Sequence, residues 1–338
     1  PERIEVSAQR TQDGLLITMP YYDSEIRLQE AGDGFEGTWR KQRGEDNVAE
    51  VKCLAERFRA RSVQDPSRFL GRWSVRFSDS EEVAVGLFRR FGDREVIGTF
   101  LTTTGDYRYL HGSLLDDQLT LSCFDGAHAF LFKARMDKPD LLSGIFLSGN
   151  WHEAEWTARR DDRIELPDAF SQTRVVDERR LRELSFPDPT GNMRSLGEET
   201  GRGKVTLIEI FGTWCPNCHD EAAYLSELKA KYGERGLQVM GLAFELTGSF
   251  ERDARQVKRY IERFNIDYPV LIAGTADKAE ATQQFPVLDR IRSYPTTLFV
   301  DQVGNIRAVY TGFSGPATGD ANVELRRRFE SLIDTMLQ

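Results

Sequence analysis

From its start to about residue 163 the chain alternates apolar and polar positions with a period of two, in short runs separated by Gly and Asp. Such alternation predicts strands with one buried face. Runs at Glu95 to Leu101, Leu119 to Cys123 and Ala129 to Ala134 are set off by Gly92-Asp93, Gly105-Asp106, Asp116-Asp117 and Asp125-Gly126, with earlier turn signals at Asp13-Gly14 and Asp33-Gly34. These pairs supply the backbone conformations that tight hairpins require. Ile4 to Ser7 reads as the opening strand. Hairpins in series predict an all-β domain, either a barrel or a strongly curled sheet. Gly37-Thr38-Trp39 and Gly71-Arg72-Trp73 fit that shape, because Gly lets a strand bend and Trp fills the interior. One amphipathic stretch, Val48 to Arg61, predicts a helix that plugs or caps a barrel end.

The pattern changes over residues 161 to 187, where Asp161-Asp162-Arg163, Pro167, a charged run through Arg182, Pro187 and Pro189 follow one another. This predicts three segments: a β barrel-like domain over 1–163 that binds a partner or ligand, a linker over 164–183, and an α/β domain over 184–338. In the last segment the expected order is strand (Val205 to Phe211), helix (Cys218 to Tyr232), strand (Leu237 to Phe244), helix (Phe250 to Phe264), short strand (Val270 to Ile272) and a helix near Thr282 to Ile291. Strands at Thr296 to Val300 and Ile306 to Tyr310, joined by a Gln302 to Asn305 turn, and a helix from Asn322 to Met336 complete it. The alternation implies a sheet with helices on both faces.

Composition narrows the functional classes. A chain of 338 residues, 40% hydrophobic and 29% charged, is long enough for two cores. Its longest apolar runs, such as Val205 to Phe211, fall short of the roughly 20 residues that span a bilayer, so no transmembrane segment is expected. A formal charge of -9 argues against a nucleic-acid surface, and Arg326-Arg327-Arg328 reads as the wet side of a helix. The chain opens at Pro1 without an apolar leader, which is expected of a trimmed sequence and leaves the compartment open. Four cysteines are too few to staple a chain of this length. Cys215 and Cys218 form a Cys-x-x-Cys, whereas Cys53 and Cys123 stand alone and are expected as buried thiols, with a disulfide as the alternative in an oxidising space.

The strand Leu207-Ile208-Glu209-Ile210-Phe211 runs into Gly212-Thr213-Trp214-Cys215-Pro216-Asn217-Cys218. Cys215 falls at the N-cap of the next helix, and Pro216 takes the first helical position, where its missing N–H costs nothing. Free N–H groups and the helix dipole stabilise a thiolate there and make Cys215 the nucleophile. Cys218, one turn inward, is placed to resolve a mixed disulfide by attack within a small ring.

On these residues the chain resembles the thioredoxin superfamily, specifically the extracytoplasmic thiol-disulfide oxidoreductases of the TlpA type, related to the AhpC/TSA proteins. The resemblance covers about residues 184 to 338. It is carried by Phe186-Pro187-Asp188-Pro189-Thr190-Gly191-Asn192, by Gly203-Lys204-Val205, by Trp214-Cys215-Pro216-Asn217-Cys218 and by Ser293-Tyr294-Pro295-Thr296-Thr297-Leu298-Phe299-Val300-Asp301. It implies a cis peptide before Pro295, with Tyr294 offering its backbone to an extended substrate and Trp214 packed against the disulfide. Pro295 lies 80 residues after Cys215, more than in a minimal thioredoxin, which implies a strand-helix insert within about 244 to 275. Six residues before Cys215, Glu209 holds the place of the family's buried acid. It is a candidate to take or return the Cys218 proton, with Glu245 as an alternative from another direction. The resemblance further implies no cofactor, a periplasmic or membrane-anchored extracytoplasmic setting, protein disulfides as substrates, and a membrane-bound or soluble thiol electron donor that makes the direction reductive.

Other readings compete. Cys215-Pro216-Asn217-Cys218-His219 also spells the attachment signature of c-type haem, so a haem-binding or partner-binding module is the alternative function. Haem would require His219 as an axial ligand on an exposed loop. Zinc lacks a second Cys pair. The Pro-x-x-x-Thr-x-x-Cys context of a peroxiredoxin is absent, and Asp289 to Thr297 departs from the run seen in cytochrome-maturation relatives. His111, His128 and His152 read as surface or satisfied histidines. The aromatics Trp39, Trp73, Phe100, Tyr107, Tyr109, Phe124, Phe130, Phe132, Trp151 and Trp156 read as core.

Overall fold

A computed structural model describes residues 6–56 and 64–338. The chain divides into two compact units. The first holds the chain up to Thr102 with Asp106–Leu166, and the second holds Thr103–Gly105 with Pro167–Gln338.

In the first unit, five strands (Ser7–Arg10, Gly14–Met19, Ser24–Ala31, Gly34–Gly44 and Asn47–Ala55) form an antiparallel meander in chain order. Eight more form a second antiparallel sheet, in the order Leu110–Leu115, Gln118–Phe124, Ala129–Lys138, Leu141–Ser148, His152–Arg160, Gly71–Phe77, Val83–Phe91 and Glu95–Thr102. The last strand pairs back onto the first, Leu110 opposite Gly98 and Ser113 opposite Glu95, so the sheet closes into a barrel. Closure leaves no unpaired edge to template aggregation. Alternate side chains fill the interior: Trp73, Val75, Phe88, Val96, Phe100, Phe132, Phe146 and Trp156 are all buried. Phe132 stacks between Phe100 and Phe146, at ring separations of 4.4 and 4.3 Å. Small residues make room for these rings, since a Cβ on Gly144 would come within 2.7 Å of the Trp156 indole.

Two expectations for this unit are corrected. Val48 to Ala55 is strand, paired antiparallel with Phe35 to Gln42, and the rest of the expected helix lies mostly outside the described residues. Val48, Val51 and Leu54 imitate helical spacing, but they sit on a polar outer strand where Leu54 is 78% exposed. Cys53 is therefore on a strand. Cys53 and Cys123 form no disulfide and are only partly buried, not buried as expected. The opening strand begins at Ser7, and Ile4 and Glu5 lie outside the described residues. Of the aromatics read as core, Trp39, Trp73, Phe100, Phe132 and Trp156 are buried, whereas Phe124 is 47% exposed.

The second unit is built on a five-stranded mixed sheet in the order Val270–Thr275, Leu237–Glu245, Val205–Phe211, Thr296–Val300 and Ile306–Thr311. The first three strands run parallel, Thr296–Val300 pairs antiparallel with the central one, and Ile306–Thr311 pairs antiparallel with Thr296–Val300. Every residue of Val205–Phe211 is buried, which requires cover on both faces of the sheet. Helices Pro216–Tyr232, Phe250–Arg263, Lys278–Gln284 and Asp320–Met336 belong to this unit. The helix expected near Thr282 to Ile291 instead spans Lys278–Gln284. It is capped by Asp277, whose carboxylate accepts from the N–H groups of Ala279 and Glu280. Residues 167–183 pack onto the sheet: Phe170 lies against Phe299, Tyr310 and Phe329, and Leu181 is fully buried.

Candidate functional site

The site forms where the central strand Val205–Phe211 gives way to the helix Pro216–Tyr232. Cys215 is the N-cap, with extended φ and ψ of -100° and 112°, and Pro216 is the first helical residue. The Cys215 Sγ accepts the Cys218 N–H at 3.3 Å and lies 3.5 Å from the carbonyl oxygen of Tyr294. Both thiols are free. Cys215 is 6% exposed and Cys218 fully buried, so an incoming sulfur meets Cys215 first. The Tyr294–Pro295 peptide is cis. Trp214 donates its indole N–H to Phe244 O at 2.9 Å and meets the Tyr294 ring edge to face at 5.4 Å. These contacts bring Trp214, Cys215, Pro216, Cys218, Tyr294 and Pro295 together at one end of the sheet.

Beneath the helix terminus lie two buried carboxyls. Glu209, opposite Gly241 and Thr297 in the central strand, is fully buried, and neither of its oxygens has a hydrogen-bond partner among the described residues. Burial, then the proximity of Glu221 and Cys215, holds its pKa well above the usual carboxyl range. Glu221, on the helix one turn beyond Cys218, accepts the Thr297 hydroxyl at 2.8 Å, and burial pushes its carboxyl up to about 8 against the pull of that bond. The Cys218 thiol is also raised well above its ordinary value, by burial first and then by its hydrogen bond to Cys215 and the charges of Cys215 and Glu209. Two buried carboxyls, Glu209 and Glu221, thus share the interior beneath a thiol that burial disfavours as thiolate.

Glu221 is the residue that sequence reasoning missed. Its signal was available: it stands three residues after Cys218 and one before Ala222, on the stripe that Leu225 continues inward. Glu245, the alternative acid, turns both carboxyl oxygens to the loop that precedes the thiols. It is engaged with Thr213, whose N–H and hydroxyl it accepts at 2.9 and 2.7 Å.

His219 is buried, donates Nε2–H to the Thr213 carbonyl at 2.7 Å, and packs against Tyr260 and Phe264. An imidazole held this way offers no axial position, and the Cys pair sits at a strand-to-helix junction, so the haem-attachment reading gains no support. His111, His128 and His152 pair with Glu95, Asp125 and Asp79. Among the described residues no group of three or more His, Cys, Asp or Glu is arranged to hold a metal ion. No helix there is long and apolar enough to cross a membrane.

The family model Redoxin matches residues 178–324, a span that contains this whole constellation. Thioredoxin-like protein YneN of Bacillus subtilis is 28% identical over 130 residues, which are 38% of this chain and 68% of that protein. Thiol-disulfide oxidoreductase ResA of Geobacillus kaustophilus is 26% identical over 111 residues, 33% of this chain and 56% of ResA. Over its C-terminal half the chain is thus similar to thioredoxin-like thiol-disulfide oxidoreductases, as the TlpA-type resemblance implies. A solved thiol:disulfide interchange protein of the thioredoxin family from Chlorobium tepidum TLS covers 46% of this chain and 93% of its own, with 23% identity and a TM-score of 0.35. The chain thus spans between about half and two thirds of the length of the two curated relatives. Within the matched span the Cys-x-x-Cys stands at the start of the helix that follows the central strand, with the cis-proline segment beside it.

Proposed function

We propose that the C-terminal unit is a thiol-disulfide oxidoreductase that reduces protein disulfides by cycling Cys215 and Cys218 between dithiol and disulfide. The observation that carries this reading is the Cys215 sulfur at the helix N-terminus, accepting the Cys218 N–H above a buried carboxyl. Cys215 as thiolate attacks one sulfur of a substrate disulfide. The substrate S–S bond breaks, a mixed disulfide forms, and the departing substrate thiolate takes up a proton. Cys218 then loses its proton to Glu209 in the fraction of molecules where that carboxyl is ionised, and attacks the Cys215 sulfur. The second substrate thiol leaves, and the protein is left as the disulfide, two electrons poorer. Trp214, Pro216, Tyr294 and Pro295 line the approach, with the Tyr294 backbone offered to an extended substrate. A thiol electron donor, membrane-bound or soluble, restores the pair, in an extracytoplasmic setting. The first unit serves as the partner- or ligand-binding domain; an apolar cavity of about 440 Å³ lined by Met19, Ile26, Cys123 and Phe124 supports that role.

The deciding experiment is the equilibrium reduction potential of the Cys215/Cys218 pair, followed by Trp214 fluorescence in thiol buffers with Cys218→Ala as control. A two-electron transition near about -250 mV or below is expected of a reductase. A value above about -180 mV assigns an oxidant, and no transition at all overturns the catalytic reading. Glu209→Gln is expected to slow resolution with little effect on folding. Unchanged single-turnover rates in that variant would rule out proton transfer by Glu209.

A further inference from the structure

Glu245 ends the strand Leu237–Glu245, which runs parallel to the central strand with Ala243 opposite Phe211. It therefore stands just past the point where the neighbouring chain leaves the sheet as Gly212-Thr213-Trp214-Cys215. Its side chain is 1% exposed, and both carboxyl oxygens go to a single residue, Oε1 to the Thr213 N–H and Oε2 to the Thr213 hydroxyl. The preceding residue takes the next one along, Phe244 O accepting the Trp214 indole N–H. The Thr213 carbonyl is held from the other side by His219 Nε2. All three polar groups of Thr213 are thus committed, two of them to one carboxyl, two residues before the thiol. Burying a carboxyl is costly, and an apolar side chain here would strand a buried N–H and a buried hydroxyl. We propose that Glu245 is a positioning residue, whose carboxyl fixes the Thr213–Trp214 turn and thereby sets the Cys215 sulfur against the Cys218 N–H.

The inference deepens the thiol-exchange reading and rests on it. It gives Glu245 a task distinct from proton transfer, since its oxygens face Thr213 and not a sulfur. Asp253 on the helix Phe250–Arg263 and Tyr294 on the cis-proline segment are the ionisable groups that face it from the elements packed around it, with Arg252 beside Asp253. Burial, with Asp253 adding to it, raises the Glu245 carboxyl to about 7 against the Thr213 bonds, so shape and charge must be separated by experiment. Gln keeps an acceptor for the Thr213 N–H and offers an amide N–H to its hydroxyl oxygen, which preserves the shape without the charge.

The test is the rate at which iodoacetamide alkylates Cys215 in the reduced full chain at pH 7, read by mass spectrometry of the Cys215 peptide. Glu245→Ala is expected to alkylate about tenfold more slowly, the scale of one lost hydrogen bond. Glu245→Gln restores the rate to within about threefold of the parent, while Thr213→Val, which keeps the N–H and loses the hydroxyl, falls between. A parent-like rate in Glu245→Ala overturns the inference, and so does a Gln variant that falls as far as the Ala variant. If Glu245→Ala does not fold, the order of parent, Gln and Val decides in the same way. Alkylation needs no turnover: a protein that reduces no disulfide yet keeps this order loses the proposed function and retains the positioned thiol, whereas a working reductase without the order loses only Glu245's role.

Discussion

Cys215→Ser is expected to lower reduction of a protein disulfide such as insulin by at least roughly a thousandfold, because a serine hydroxyl cannot replace the thiolate in exchange. Cys218→Ser has the opposite signature. Its first step is intact, but the mixed disulfide has no internal thiol to resolve it, so Cys215 accumulates joined to its substrate. The asymmetry follows from the geometry, since Cys215 retains some exposure and accepts an N–H at the helix terminus while Cys218 has none and lies beneath it. Resolution within one helical turn also has the benefit of a high effective concentration that free thiols in solution do not match. Non-reducing gels of the Cys218→Ser protein with an oxidised substrate are expected to show adducts that vanish with dithiothreitol. Turnover retained by Cys215→Ser, or equal trapping by both variants, defeats the assignment of roles.

Much of this site was legible because its local rules agree. Val205–Phe211 is apolar at every position but Thr206 and Glu209, lies between Lys204 and Gly212, and forms a strand over those same residues. Cys215 and Pro216 have no comfortable place except N-cap and first helical position. The turn at Gln302 to Asn305 and the two strands it joins are equally local. What sequence alone misplaced was set by pairing and packing partners that the local pattern does not name. Val48 to Ala55 is a strand because Gly34–Gly44 lies beside it, and its apolar spacing fits either period. The helix Lys278–Gln284 ends before Phe285, after which the buried Val287 is held by the Val176 N–H onto its carbonyl. The segment 164–183, rich in charge, reads as a linker, yet from Pro167 onward it belongs to the second unit, where Phe170 and Leu181 pack. Glu245 follows a strand near the thiols and on sequence alone suits proton transfer; only the register of that strand against the central one shows that it serves Thr213 instead.

The stability of the second unit is expected to fall as pH rises from about 5 to about 8, and the cause is the set of buried carboxyls around the thiols. Glu221 is raised to about 8 and Glu245 to about 7, in each case chiefly by burial, and Glu209 is held well above the ordinary range by burial, Glu221 and Cys215. In the unfolded chain all three lose their protons near the usual carboxyl value of about 4.3. Between that value and the folded ones the native state binds more protons than the unfolded state, so the slope of unfolding free energy with pH is negative. Below about pH 4.5 both states are protonated and the penalty is absent; it grows until the folded carboxyls ionise in turn. Each carboxyl that stays protonated in the folded chain and ionises in the unfolded one costs about 1.4 kcal/mol for every pH unit climbed, so one such group alone contributes on the order of a few kcal/mol across the window. Urea denaturation of the reduced protein at half-unit steps of pH measures it. Glu221→Gln is expected to flatten the slope, since its amide oxygen still accepts the Thr297 hydroxyl while no ionisable group remains to favour the unfolded chain at high pH. A stability that is level or rises between pH 5 and 8 would mean that these carboxyls are ionised in the folded protein. Glu209 would then be a poor keeper of the Cys218 proton, because a carboxyl that is already charged at pH 5 is too weak a base for a thiol as strongly disfavoured as thiolate as this one.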